Sequence, residues 1–337
     1  MNIPYRTQRF LRRTALTVLA ILLVLVLVWM CWMLWLGRYV LYTREQGAVL
    51  DFSMSPQLSA GKPAVSGPEE TVPINYDAPK QEETTELKQL YGYYVDAKAL
   101  ESDIALVKAQ LQALPAGTPV LFDVKSIYGN FFYSSSVSDR RNGSVDINAM
   151  DELIAWLRDS GLYTIARLPG LRDYHYGLTH VGDGIHYADG IGLWMDKQGC
   201  YWLNPAKQGT IAFLVQIINE LKGLGFDEVV FRDFCFPDTT NMLFNGDKAA
   251  ALAEAAQILV TTCATDTFTV SFVGGADFIL PTGRTRLYME GVAAANAANL
   301  AQQTGIADTQ IQLAFITDVH DTRFDAFSVL RPLSGAH

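Results

Sequence analysis

Charged residues recur in this sequence at the ends of short apolar runs. Asp96 closes the first run, and Asp123 with Lys125 closes the second. Arg167 ends the third, with Asp173 just beyond it; Arg232 and Asp233 end the fourth, Glu290 the sixth, and Asp318 with His320 the seventh. Carboxylates displayed from several separate strands suit glycosidic bond cleavage. One carboxylic acid protonates the leaving oxygen while a second carboxylate attacks the sugar or activates water. Asp123 and Asp233 are the first candidates for these roles, with Glu290 as the alternate. Arg167 and Arg232 are placed to orient a substrate or to keep a carboxylate ionised, as is Lys125. The competing reading pairs these groups structurally, Asp123 with Lys125 and Arg167 with Asp173.

The long segment between Pro169 and Pro205 holds Trp194 and Trp202 with Tyr174, Tyr176, Tyr187 and Tyr201. Such rings stack on sugar faces, and a long loop over a barrel mouth shapes a cleft; the alternative is that they pack a small core of the loop's own. Trp156 falls inside a helical pattern and reads as core. Asp173, His175, His180, Asp183 and His186 share the loop, which raises a metal-dependent deacetylase as a further reading. Their spacing matches no metal-ligand signature, so no metal is assigned. Gly274–Gly275 is a lone pair rather than a phosphate loop, and no G-x-S-x-G elbow is present. No cofactor is implied.

These positions need a scaffold that brings strand ends together. From Leu87 onward, short apolar runs alternate with amphipathic stretches, the signature of βαβ units and a parallel sheet. Strands are predicted at Leu90–Val95, Val120–Val124, Tyr163–Arg167, Glu228–Asp233, Phe268–Val273, Arg286–Glu290 and Gln312–Ile316. Helices are predicted at Ala99–Leu114, Ile147–Ser160 (capped by Asp146), Gln208–Leu224, Lys248–Thr262 and Val292–Gln303. An eighth strand is represented only by Ala326–Leu330. The expected fold is a (β/α)8 TIM-type barrel over residues 87–337, incomplete at its C-terminus, with active residues at the C-terminal ends of the strands.

The N-terminal part reads differently. Residues 14–36 form a run of 23 without charge, long enough to cross a bilayer. Arg6, Arg9, Arg12 and Arg13 precede it, and Trp29, Trp32, Trp35 and Tyr39 crowd its far end. Charge bias predicts a single-pass signal anchor with residues 1–13 cytoplasmic and the rest extracytoplasmic. A cleaved signal peptide competes with this, but the run is long and no small-x-small site follows closely. Residues 37–86, with Pro56, Pro63, Pro68, Pro73 and Pro79, read as a flexible stalk. Beyond residue 42 the chain has 21 basic and 35 acidic groups, a balance that disfavours nucleic acid and anionic polymers as partners. Cys31 lies in the apolar run; Cys200, Cys235 and Cys263 form neither a disulfide framework nor a zinc motif.

Several motifs carry a family resemblance. Leu121-Phe-Asp-Val-Lys125 resembles a V-D-x-K second strand, and Ala166-Arg167 followed by Asp173 resembles the third strand and its loop. Trp202-Leu-Asn-Pro205 and Gly225-Phe-Asp-Glu228-Val-Val-Phe231, with Phe236-Pro237, resemble W-x-N-P and G-F-D-E-I-x-F-D-Y-x-R-F-P. Together these resemble a glycosyl hydrolase domain of bacterial proteins, itself similar to alpha-amylase-type barrels. The resemblance spans Tyr91 to Pro237 and implies a carbohydrate-directed role; Asp173 and Asn204 join Trp194 and Trp202, chosen for their rings, as expected substrate-binding residues. Where the family has F-D-Y-x-R-F-P, this chain has Phe231-Arg-Asp-Phe-Cys-Phe-Pro237. The acid is displaced by one position, and alternation along a strand predicts that Asp233 points away from the usual carboxylate site. Two functions follow: a membrane-anchored glycoside hydrolase acting on a wall or extracellular polysaccharide, or a non-catalytic glycan-binding or scaffolding module on the same barrel.

Overall fold

The computed structural model of the chain describes residues 40–43, 47–50 and 86–333. The chain divides into two compact units, residues 1–79 and 80–337. In the first, Val40–Thr43 pairs antiparallel with Gly47–Leu50, a short ribbon inside the segment expected to be a spacer. The expected membrane span at 14–36 lies outside the described residues. Among those described, no helix is long and apolar enough to cross a membrane.

The second unit is a closed barrel of eight parallel strands. They are β1 (Tyr91–Val95), β2 (Pro119–Asp123), β3 (Tyr163–Pro169), β4 (Glu228–Arg232), β5 (Thr269–Val273), β6 (Leu287–Glu290), β7 (Leu313–Ile316) and β8 (Ser328–Pro332). The expectation of an incomplete barrel is corrected: β8 pairs with β7 on one side and β1 on the other. Its sequence signal is weak because only a single 3-10 turn, Thr322–Phe324, precedes β8 instead of a full helix.

Alternation along the strands builds two cores. Val120, Phe122, Ala166, Val229, Phe231, Val270 and Phe272 face outward into the helix layer. Leu121, Ile165, Val230, Tyr288, Ala314 and Leu330 face inward and fill the lumen. The outer layer is α1 (Ala97–Ser102), α2 (Ile104–Gln112), α3 (Ile147–Asp159), α4 (Tyr174–Thr179), α5 (Gln208–Gly223), α6 (Lys248–Cys263), α7 (Ala297–Gln303) and α8 (Thr309–Gln312). Helix α3 shows the logic: Met150, Leu153, Ile154 and Leu157 are buried at i, i+3, i+4, i+7, and Asp146 caps it through Ala149 N at 3.1 Å. The single helix expected at Ala99–Leu114 is instead α1 and α2. Asp103 turns extended (φ −160°) and its carboxylate caps α2 through Leu106 N at 2.9 Å, the local competition that short acidic side chains offer a helix.

The lumen floor holds an ion pair. Glu228 and Arg286 are 0 % and 1 % exposed, with Arg286 Nη1 at 2.5 Å from Glu228 Oε2. Tyr163 and Tyr288 donate to the same carboxylate at 2.9 and 3.0 Å, and Ser271 at 2.5 Å. Arg286 also donates to the Lys88 and Ile311 carbonyls at 2.8 and 3.1 Å. Burial and the Glu228 charge push both phenols well above their ordinary range. A second anchored acid, Glu220 on α5, holds the β2–α3 loop. It accepts from the Tyr133, Ser135 and Ser136 hydroxyls at 2.8, 2.6 and 2.7 Å. Burial alone would raise this carboxyl, but the hydrogen bonds outweigh it and hold it below its ordinary value.

Both buried acids can be tested. Arg286→Ala strands Glu228 without its counter-ion and should cost about 3–5 kcal/mol, read as a lower denaturant midpoint or loss of soluble protein; a cost within ~1 kcal/mol would show the floor pair to be dispensable. The depressed Glu220 carboxyl stabilises the fold fully above the ordinary glutamate range, near pH ~4.3, and the contribution is lost as pH falls through the lower folded value. Unfolding midpoints measured from neutral pH down through the carboxylate range should therefore fall more steeply for the wild type than for Glu220→Gln.

Candidate functional site

At the C-terminal ends of the strands, Arg167 organises the mouth. Asp123 and Arg167 are register partners on adjacent strands, so both point into the lumen. Arg167 Nε and Nη2 grip the two Asp123 oxygens at 2.7 and 3.0 Å. Its Nη1 reaches across the barrel to Glu290 Oε1 on β6 at 2.5 Å. Burial alone would lower the Arg167 pKa, but hydrogen bonds and charge from Asp123, with Glu290, raise it, so the guanidinium is a fixed cation. Asp123 also accepts from Ala97 N at 3.2 Å, which leaves it filled and nearly buried. Glu290 keeps one oxygen free of partners among the described residues, and its side chain is 38 % exposed.

Tyr94 on β1 belongs to the same layer. Its phenol is pushed up first by burial, then by Asp318, Asp96 and Glu290, with Arg167 opposing. Asp96 and Asp318 therefore stand with Glu290 around one mouth; Asp96 also caps α1 through Ala99 N at 3.0 Å, and His320 is exposed beyond Asp318. Tyr94 is not among the residues expected from sequence. Its signal is the alternation Leu90, Gly92, Tyr94, which puts it on the lumen face.

The end of β4 departs from the expectation. Asp233 has φ +50°, the sole non-glycine residue with positive φ among those described. The strand stops at Arg232, so strand alternation does not govern where the Asp233 carboxylate points. Acidic and amide side chains tolerate this conformation, at modest strain. Arg232 continues the lumen row of Glu228 and Val230, its carbonyl held by Gly170 N at 2.7 Å. Arg232 Nε and Asp233 Oδ2 lie 3.6 Å apart, with side chains 34 % and 26 % exposed.

Other expected binding residues are elsewhere. Lys125 and Asp173 form an ion pair of 2.6 Å with both side chains 1 % exposed. Lys125 sits beyond the end of β2, between the Phe131 and Phe213 rings, and Asp173 caps α4 through Tyr176 N at 2.8 Å. Neither has surface to offer a substrate. The expected pairs are thus exchanged: Asp123 pairs with Arg167, and Lys125 with Asp173. Trp202 is also spent internally. It donates to Asp196 at 3.0 Å, lies under Arg172, and packs with Ile185, Met242, Trp194 and Phe236 as a core of the loop itself. Asn204 closes a turn by accepting from Ala206 N at 3.0 Å.

The loop histidines do not converge. His180 stacks on Tyr176, which in turn stacks on Phe213, His186 sits in backbone bridges to Leu193 and Leu243, and Asp183 accepts from the Tyr176 hydroxyl at 2.9 Å. Among the described residues no three His, Cys, Asp or Glu side chains gather where a metal ion would bind. A cleft of about 640 Å3 opens at the opposite end of the barrel, lined by Leu90, Tyr91, Pro119, Tyr163 and Arg284, the face that in such barrels carries stability.

Among solved structures, the alpha-galactosidase of Lactobacillus brevis has a TM-score of 0.51 at 11% identity, over 73% of this chain and 37% of that one. The galactosidase domain of an alpha-galactosidase–sucrose kinase gives 0.51 at 8% identity, over 74% and 38%. A hypothetical protein from Ruminiclostridium thermocellum gives 0.47 at 20% identity, over 56% of this chain and 100% of that one. At these identities the likeness shows the fold, and the chain spans less than two fifths of either galactosidase chain. No curated protein matches the sequence. The family model described as "Putative glycosyl hydrolase domain" matches residues 94–266. That stretch runs from Tyr94 through the Asp123–Arg167 pair and the β4 motif, and the chain belongs to this glycosyl hydrolase domain family.

Proposed function

We propose that the protein is a membrane-anchored, extracytoplasmic glycoside hydrolase whose barrel mouth cleaves a wall or extracellular polysaccharide. The observation that carries this reading is the Arg167 bridge, which fixes Glu290 at the mouth while leaving one of its oxygens open. Glu290, held beside a permanent cation, suits the carboxylate that attacks the sugar or activates water. Asp233 is the second carboxylate. It rises from β4, two strands from β6, so the two backbones stand about 10 Å apart and the side chains can flank one sugar. Asp123 is a positioning residue: its oxygens are filled by Arg167 and Ala97, and it acts by aiming the guanidinium. The uncharged run at 14–36 behind four arginines supports the anchor.

A specific observation favours a second reading, a glycan-binding module without turnover. The lumen position that holds aspartate in the family's β4 motif holds Arg232 here, so the usual carboxylate is replaced by a cation.

The test is hydrolysis of a panel of wall glycans and exopolysaccharides by the full chain beside three variants. Glu290→Gln and Asp233→Asn should each lower turnover at least about 100-fold with unfolding midpoints near wild type. Asp123→Asn should lower both turnover and stability, because it frees Arg167. Turnover unchanged in Glu290→Gln would remove it from the mechanism, and retention of a glycan without any turnover would establish the binding module.

A further inference from the structure

The two arginines at the mouth are in opposite states. Each nitrogen of the Arg167 fork donates a hydrogen bond, Nε and Nη2 to Asp123 and Nη1 to Glu290. The Arg232 guanidinium donates no hydrogen bond to any described residue; its buried Nε has no partner within bonding distance, and the nearest carboxylate oxygen, on Asp233, is 3.6 Å away. The backbone beneath it is fixed by the Gly170 N bond to its carbonyl, and a third of the side chain is open.

A planar guanidinium at the barrel mouth that makes no hydrogen bond is matched by two coplanar oxygens, the geometry of a carboxylate. We propose that Arg232 is a specificity residue that selects a sugar bearing a carboxylate, such as a uronic acid, within the polysaccharide the mouth accepts. This deepens the carbohydrate reading of the site and rests on it. The charge layout narrows the class further. Asp96, Glu290 and Asp318 belong to the ends of β1, β6 and β7, whereas Arg232 ends β4, on the opposite side of the barrel from β8. A polymer charged at every sugar would meet both those acids and an acidic domain. With a screening length of about 8 Å at physiological salt, an isolated carboxylate at Arg232 stands apart from those three acids and meets one carboxylate at close range, Asp233, whose charge the same guanidinium offsets at 3.6 Å. The fitting substrate is therefore a largely neutral glycan with sparse carboxylates.

The experiment measures binding of the full chain to wall and extracellular glycans, each presented in native form and after reduction of its carboxylates to neutral alcohols. At least one carboxylated glycan should bind the wild type about tenfold or more above its reduced form. Arg232→Gln should remove that difference, bringing native-glycan binding to the level of the reduced form, and Arg232→Lys should restore part of it, since a point charge lacks the fork. Equal binding of native and reduced glycans, a preference that persists in Arg232→Gln, or no binding to any glycan would each overturn the proposal. Carboxylate preference without turnover leaves this inference standing while the hydrolase reading falls, and turnover without preference does the reverse.

Discussion

Glu228 and Arg286 sit where water does not reach, and leaving either ion without its partner there would cost several kcal/mol. The arrangement is stable because the carboxylate collects donors from three strands: Tyr163 on β3, Ser271 on β5 and Tyr288 on β6, with Arg286 immediately before β6. Arg286 in turn clasps the Lys88 carbonyl, which ties the chain's entry to the barrel floor. A one-residue slip of β4 would turn Glu228 out of the lumen and into the apolar helix layer. The floor pair therefore penalises every wrong register. That constraint propagates upward. Tyr163 and Arg167, Glu228 and Arg232, Arg286 and Glu290 are each four residues apart, with Ile165, Val230 and Tyr288 between them. Fixing the floor fixes the height and facing of the mouth residues, about 13 Å above.

At that upper level the charges divide by what they are already doing. Asp123 and Arg167 satisfy each other almost completely, and together they set where Glu290 stands. Glu290, Asp233 and Arg232 retain exposure and unused bonding capacity. Preorganised, buried pairs behind a few open groups are what a site needs to hold its reacting atoms in place. The exchange of partners between the expected and observed ion pairs follows from the same geometry. Asp123 and Arg167 share a lumen face across one strand gap, whereas Lys125 lies past the strand end and turns outward to Asp173.

The strands are legible in the sequence because parallel barrel strands are buried on both faces and read as unbroken apolar runs, as in Val120-Leu-Phe122. Asp146 and the spacing of Met150, Leu153, Ile154 and Leu157 make α3 legible in the same way. The first helix differs from its expectation because an amphipathic period continues through Asp103 while its carboxylate, a strictly local competitor, breaks the helix there. The last strand is obscured because closure is a long-range property: Val329 and Leu330 pair with Tyr91 and Gly92, at the far end of the domain's sequence. Strand-end position in the sequence places Asp123, Arg167, Arg232 and Glu290 at the barrel mouth, where they lie. The surroundings of Trp202 and Asn204 depend on a loop core and a turn that no periodicity encodes.

The family motif itself divides along the same line. In Gly225-Phe-Asp-Glu228, Gly225 has φ +97° where α5 ends, Phe226 packs in the helix-layer core, and Asp227 holds Thr164 N at 2.7 Å. Glu228 is the floor carboxylate. Each of these residues acts on register and closure, so their retention in this chain argues for the barrel. The half of the motif at and beyond the end of β4 is the part that differs: Arg232, Asp233 and Cys235 stand where the family pattern has aspartate, tyrosine and arginine. The backbone at Asp233 lies in the left-handed region, which detaches its carboxylate from the strand's alternation. Register and the side chains of the mouth are thus set by neighbouring residues of one segment, and the mouth residues can change while the floor beneath them holds the same frame.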